Sequence, residues 1–150
     1  MITLEKSPVL LAIKASDEKL GNDFIVFALS VEKHYKKASL DIDELKTCFD
    51  VVSSFDDNKQ ALFALLLNDY SYSYDVESLT NYCENNANLF DGSISDYAYD
   101  LIQDCYDLKS MGGLVSYIDY DKFGNDLLLG GDIVELGYNC IWTNPNDIYW

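Results

Sequence analysis

Residues 95–107 read SDYAYDLIQDCYD. At about 100° per residue, Asp96, Asp100, Asp104 and Asp107 fall in one helical stripe, nearly opposite Ala98, Leu101, Ile102 and Cys105. An apolar face at that spacing is the signature of a helix laid on a core. Ser93, followed three residues later by Asp96, forms a capping box with Asp in place of Glu, so the helix is expected to start just after Ser93. The polar face is the anomaly. Like charges at i,i+4 repel and cost a few tenths of a kcal/mol per pair, yet no lysine lies among the four.

Working outward, the same periodicity organises the middle of the chain. LDIDELKTCFDVV places Ile42, Leu45, Phe49 and Val52 at helical spacing, with Asp41 and Glu44 resembling a capping box. Residues 57–68 predict a second, more apolar helix. Residues 75–86 predict a third, with Val76, Leu79, Tyr82 and Cys83 inward. Downstream of the stripe, DYDKFGNDLLL predicts a short helix with Tyr120, Phe123, Leu127 and Leu128 on one side, stopped at Gly130-Gly131. DIVEL, NCIWT and DIYW read as three short strands. At the other end, residues 8–14 and 23–31 are β-branched and aromatic-rich around a Gly21-Asn22 turn signal, which predicts a β-hairpin. The expected class is α+β: an N-terminal hairpin region (1–38), a helical middle (39–92) and a C-terminal α+β region with antiparallel strands (93–150). An elongated overall shape is expected.

Charge is the informative bulk property. The 150 residues carry 26 acids against ten basic residues, all of them lysine, for a net charge of −16. Residues 1–37 hold six lysines and five acids, whereas residues 38–150 hold four lysines and 21 acids. Such a block repels nucleic acid and anionic membrane and attracts basic protein surfaces. Direct nucleic-acid binding and membrane association are therefore not expected. No apolar run approaches the ~20 residues of a membrane-spanning helix and the N-terminus lacks a secretory pattern, so a cytoplasmic location is expected. Cys48, Cys83, Cys105 and Cys140 include no C-x-x-C pair, so buried free thiols are expected rather than a zinc site or disulfides.

The familiar catalytic patterns fail. His34 sits in a lysine cluster without a nucleophile partner. The aspartates look exposed, unlike a desolvated acid–base pair. Asp119, Asp121 and Gly124 fit three positions of a calcium loop, but Phe123 and Gly130 occupy two of its ligand positions. No phosphate-binding glycine loop occurs. No enzymatic activity and no cofactor or metal are expected. What remains is an acidic surface bearing tyrosines, a residue favoured at interfaces. Tyr82 and Tyr120 are expected to pack in the core instead, and Trp142, Tyr149 and Trp150 are candidate interface anchors.

At residues 96–136 a family pattern emerges. Leu101-Ile102-Gln103-Asp104-Cys105-Tyr106, then Tyr117-Ile118-Asp119-Tyr120, Gly124-Asn125-Asp126-Leu127 and Gly131-Asp132-Ile133 resemble, in order and spacing, the C-terminal part of ArdA-type antirestriction proteins. LNDYSY at 67–72 is a weaker match to the family's middle. Gln103 stands where the family carries an acid, Asn125 stands where it carries arginine, and the first 40 residues depart from its N-terminal pattern. The resemblance implies a non-catalytic, usually homodimeric mimic of B-form DNA, encoded by a phage or mobile element. Such proteins occupy the basic DNA-binding groove of type I restriction–modification enzymes. Asp96, Asp100, Asp104, Asp107, Asp119, Asp121, Asp126 and Asp132 would then be phosphate surrogates. The alternatives are an anti-CRISPR or other anti-defence inhibitor blocking a nucleic-acid channel, and a plain acidic interaction module.

Overall fold

The computed structural model describes residues 21–35, 40–137 and 139–148. They form two compact units, divided between Asn86 and Ala87.

The first unit is helical: α1 (Asn22–His34), α2 (Ile42–Ser53), α3 (Asp57–Tyr70) and α4 (Val76–Asn85). Helix α1 corrects the hairpin expectation. DFIVFALSV is helix, not strand, and the proposed partner at 8–14 lies outside the described residues. The β-branched and aromatic content is outweighed by a second pattern in the same letters. Phe24, Ala28 and Val31, at i, i+4 and i+7, are all buried, and a packed face of that period overrides β-propensity. Phe24 meets Phe49 of α2 edge-on at 5.5 Å, and Phe27 stacks on Phe63 of α3 at 6.1 Å. Such aromatic pairs add to the area they bury. After α1, the Tyr35 hydroxyl donates to the Tyr74 carbonyl at 2.8 Å, tying the end of α1 to the α3–α4 turn.

The three following helices lie where their periodicity places them. Each is N-capped by an aspartate. Asp41 accepts from the Asp43 amide, Asp56 from Lys59 and Asp75 from Ser78, all at 2.8–2.9 Å. Each such cap contributes about 1 kcal/mol. Val76, Leu79, Tyr82 and Cys83 face inward as expected.

One acid in this unit works against the fold. Burial pushes the Glu44 carboxyl above its ordinary value of 4.5, and the charges of Glu77 and Asp75 push the same way. The folded protein therefore holds this proton more tightly than the unfolded chain does. The group's contribution is most favourable below 4.5 and is lost as pH rises through the raised folded value. Glu44→Gln is expected to raise the thermal midpoint at neutral pH and to flatten the gain on mild acidification. A variant no more stable than the parent at neutral pH would remove this account.

The second unit contains β1 (Leu89–Asp91), α5 (Ile94–Cys105), a short α6 (Leu108–Met111), a 3-10 turn (112–117), α7 (Tyr120–Leu129), β2 (Val134–Glu135) and β3 (Cys140–Trp142), followed by a 3-10 turn at 145–147. The strands form an antiparallel sheet in the order β1-β3-β2, pairing Leu89 with Trp142 and Val134 with Trp142 on either side of the centre. Cys140, Ile141 and Trp142 are buried, as the middle strand of a covered sheet requires. The α+β class holds, with two changes of detail. The described half of DIYW is not strand: Asp147 ends a 3-10 turn and Ile148 belongs to no element, while Tyr149 and Trp150 lie outside the described residues. The third strand is Leu89–Asp91, a piece too short to show a period of two. Trp142 is 0% exposed, so it is a core residue of this unit and not an interface anchor.

Helix α5 packs on α7 through a glycine. A Cβ at Gly124 would lie 2.4 Å from Ile94 Cγ2 and 3.0 Å from the Ile94 carbonyl oxygen. The residue that weakens the helical reading of 120–129 is the one that lets the two helices approach this closely.

Candidate functional site

The capping box at the start of α5 is present. The Ser93 hydroxyl accepts from the Asp96 amide, and the Asp96 carboxylate accepts from the Ser93 amide, each at 3.1 Å. The Ser93 amide foremost, and the Ser93 side chain after it, hold the Asp96 carboxyl below its ordinary value of 3.8. Asp96 thus keeps its charge to lower pH than an ordinary aspartate does.

The stripe is shorter than the sequence implies. Helix α5 ends at Cys105, and Tyr106 is extended with φ −126° and ψ 144°. Asp107 therefore leaves the helical row and precedes α6, where its carboxylate accepts from Ser110 Oγ at 2.6 Å and is held below 3.8, chiefly by that bond. Cys105 is exposed rather than inward; the other three cysteines are buried, and all four are free thiols. The inward face is Ala98 and Ile102, with Leu101 half-buried. Asp96, Asp100 and Asp104 remain in one row, repeating about every 6 Å along the axis.

All eight candidate aspartates are exposed, but their surroundings differ. Asp119 caps α7, accepting from the Lys122 amide at 3.0 Å. Asp121, in the first turn of α7, accepts from the Ser95 hydroxyl of α5. Asp126 lies on the same helix, and Asp132 follows the Gly130-Gly131 stop, where its charge acts on the Tyr97 hydroxyl. The packing of α7 on α5 gathers Asp96, Asp119 and Asp121 around one cleft of about 620 Å³. Asp100, Asp104, Asp107, Asp126 and Asp132 do not line it. Asn125 and Asp121 line a second hollow of about 410 Å³ with Ser93, Ser95 and Glu135.

Three tyrosines that the sequence pattern did not assign to the site complete the first cleft. Tyr99 and Tyr120 are in ring contact at 5.2 Å, and Tyr117, 83% exposed, stands beside them. Tyr82 is a core residue as expected, whereas Tyr120 is only half-buried and also faces the cleft. The alternation of tyrosine with aspartate in SDYAYD and YIDYD is the signal that locates them.

Over residues 87–150 there are 11 acids against Lys109 and Lys122, a net of −9. The described part of this unit thus defines a class before any comparison: an acidic, tyrosine-bearing α+β unit whose charge faces solvent. Among the described residues, no group of acids, cysteines and histidine is arranged to hold a metal, and no helix is long and apolar enough to cross a membrane.

The sequence model of the antirestriction protein (ArdA) family matches residues 17–140. The chain belongs to the ArdA family of antirestriction proteins. The match begins at residue 17, so all of α1 falls within it, and the departure expected over the first 40 residues does not hold for residues 17–40. Comparison with curated proteins and with solved structures gave no significant match.

Proposed function

We propose that this antirestriction protein inhibits a type I restriction–modification complex by occupying its DNA-binding groove as a mimic of B-form DNA, acting as a homodimer in the bacterial cytoplasm. The observation that carries the reading is the exposure of all eight aspartates in a unit of net charge −9. Duplex DNA presents one charge per ~1.7 Å of axis over both strands. One helical row at about 6 Å is sparser, so the row on α5 needs the acids of α7 and the turns beside it. Two features keep the charge in place: local hydrogen bonds fix several carboxylates, and those of Asp96 and Asp107 lower the carboxyl pKa. Association is steered by the field and weakened by salt.

Titration of competing duplex DNA into a mixture of this protein and the restriction–modification complex tests the reading. Inhibition is expected to fall as DNA is added and as ionic strength rises. Inhibition that DNA does not relieve would overturn the mimicry, and inhibition of a CRISPR effector alone would assign the acidic surface to that channel. Light scattering tests the homodimer, and a monomer at working concentration would remove it.

A further inference from the structure

We propose that the cleft between the start of α5, the 112–117 turn and the start of α7 receives an arginine side chain of the protein partner, bound between tyrosine rings and carboxylates. The proposal rests on the functional reading above and adds which side chain the surface selects.

The cleft, about 620 Å³, is faced by Tyr99, Tyr117 and Tyr120 together with Asp96, Asp119 and Asp121. Tyr117 and Tyr99 are 83% and 48% exposed, so flat aromatic area stands open beside three anions. Charge complementarity calls for a cation, and the rings call for one with a face. A guanidinium is planar, stacks on aromatic faces and offers paired donors to a carboxylate. An ammonium is a compact, strongly hydrated charge and gains less from the rings.

The carboxylates are also preorganised. Asp96 Oδ2 accepts from the Ser93 amide, Asp119 Oδ1 from the Lys122 amide and Asp121 Oδ1 from Ser95 Oγ. A carboxylate has capacity for further donors after accepting one. Side chains already held in place lose little freedom when a partner docks. Proteins that grip DNA reach its phosphates largely with arginine and lysine. A phosphate answers both with charge, whereas this cleft adds ring faces that favour arginine.

The test uses the full chain with hexa-arginine and hexa-lysine peptides, which carry equal charge, followed by calorimetry and by NMR shifts of the tyrosine rings. The arginine peptide is expected to bind about fivefold more tightly. The shifts should be largest at Tyr99, Tyr117 and Tyr120. Tyr117→Leu should abolish the preference while retaining charge-driven binding, and Tyr117→Phe should keep it. Tyr117 is exposed, so both variants are expected to unfold at the parent's temperature. Equal affinity for the two peptides, or a preference that survives Tyr117→Leu, would overturn the proposal. The outcomes separate from those of the functional reading. If DNA still competes with the parent protein but Tyr117→Leu inhibits as well as the parent, the cleft is wrong and the mimicry stands. If DNA does not compete, the mimicry fails whatever the peptides show.

Discussion

Gly124→Val is expected to destabilise the second unit by about 3 kcal/mol, the upper range for overpacking a close contact. The new Cβ would sit 2.4 Å from Ile94 Cγ2 and 3.0 Å from a carbonyl oxygen that belongs to the α5 backbone. The methyl has little room to turn aside, and the carbonyl moves only if α5 moves. Gly124→Ala sharpens the test because two effects oppose each other. Helix propensity alone makes alanine more stable than glycine by about 1 kcal/mol, whereas the contact with Ile94 makes it less stable. Denaturant unfolding should show a net loss. Ile94→Ala, which removes Cγ2, should recover part of that loss in the double variant, giving a non-additive cycle. A stabilised Gly124→Ala would mean that the helices do not meet at this residue. The functional consequence follows from the same contact, because α7 brings Asp119 and Asp121 to Asp96. Overpacking at residue 124 should therefore weaken inhibition along with stability.

The second large effect separates charge from structure. Asp100 and Asp104 of α5 and Asp126 of α7 are exposed and cap no helix. Replacing all three by asparagine should leave stability within a few tenths of a kcal/mol of the parent's, because relief of i,i+4 repulsion along Asp96, Asp100 and Asp104 opposes loss of the Asp126 charge four residues after Lys122. Under the proposed mimicry, the same variant should inhibit the restriction–modification complex on the order of a hundredfold more weakly, with a shallower salt dependence. Inhibition equal to the parent's would leave these acids as a solvated face and nothing more. Asp96→Asn and Asp119→Asn are poorer probes of function, because each also disturbs the start of a helix.

That contrast qualifies what net charge means here. Aspartate is a strong N-cap because its side-chain oxygen accepts one of the unpaired amides in the first helical turn. Asp41, Asp56, Asp75 and Asp119 all serve in this way, and Asp96 closes the capping box. Part of the acidic surplus is thus local helix chemistry. The remainder, concentrated on exposed faces, is what a basic groove would meet.

The local rules read well where one interaction dominates. The capping box of Ser93 and Asp96 was legible to the residue, since both bonds lie within four residues of chain. The inward set Val76, Leu79, Tyr82 and Cys83 was legible because a strong apolar period admits a single buried face. The family was legible from short segments at fixed spacing, and the match to residues 17–140 bears it out.

The failures share a cause. DFIVFALSV satisfies both a strand composition and a helical i, i+4, i+7 pattern, and only the aromatic partners Phe49 and Phe63 choose between them. LFD at 89–91 has no signature of its own, and it is a strand because β3 lies beside it. Asp107 continues the stripe arithmetically, but an extended Tyr106 ends the helix first.

Helices α2 to α5 and α7, the capping box of α5, the acidic surplus and the family were legible in the chain alone, because each rests on neighbours in the chain or on composition. Which acids share a cleft, and which tyrosines stand beside them, depends on how the helices pack. Residues 96, 99, 117 and 121 meet because a glycine at 124 lets two helices touch. The period of neither helix encodes that contact, since it depends on the shape of Ile94 thirty residues away.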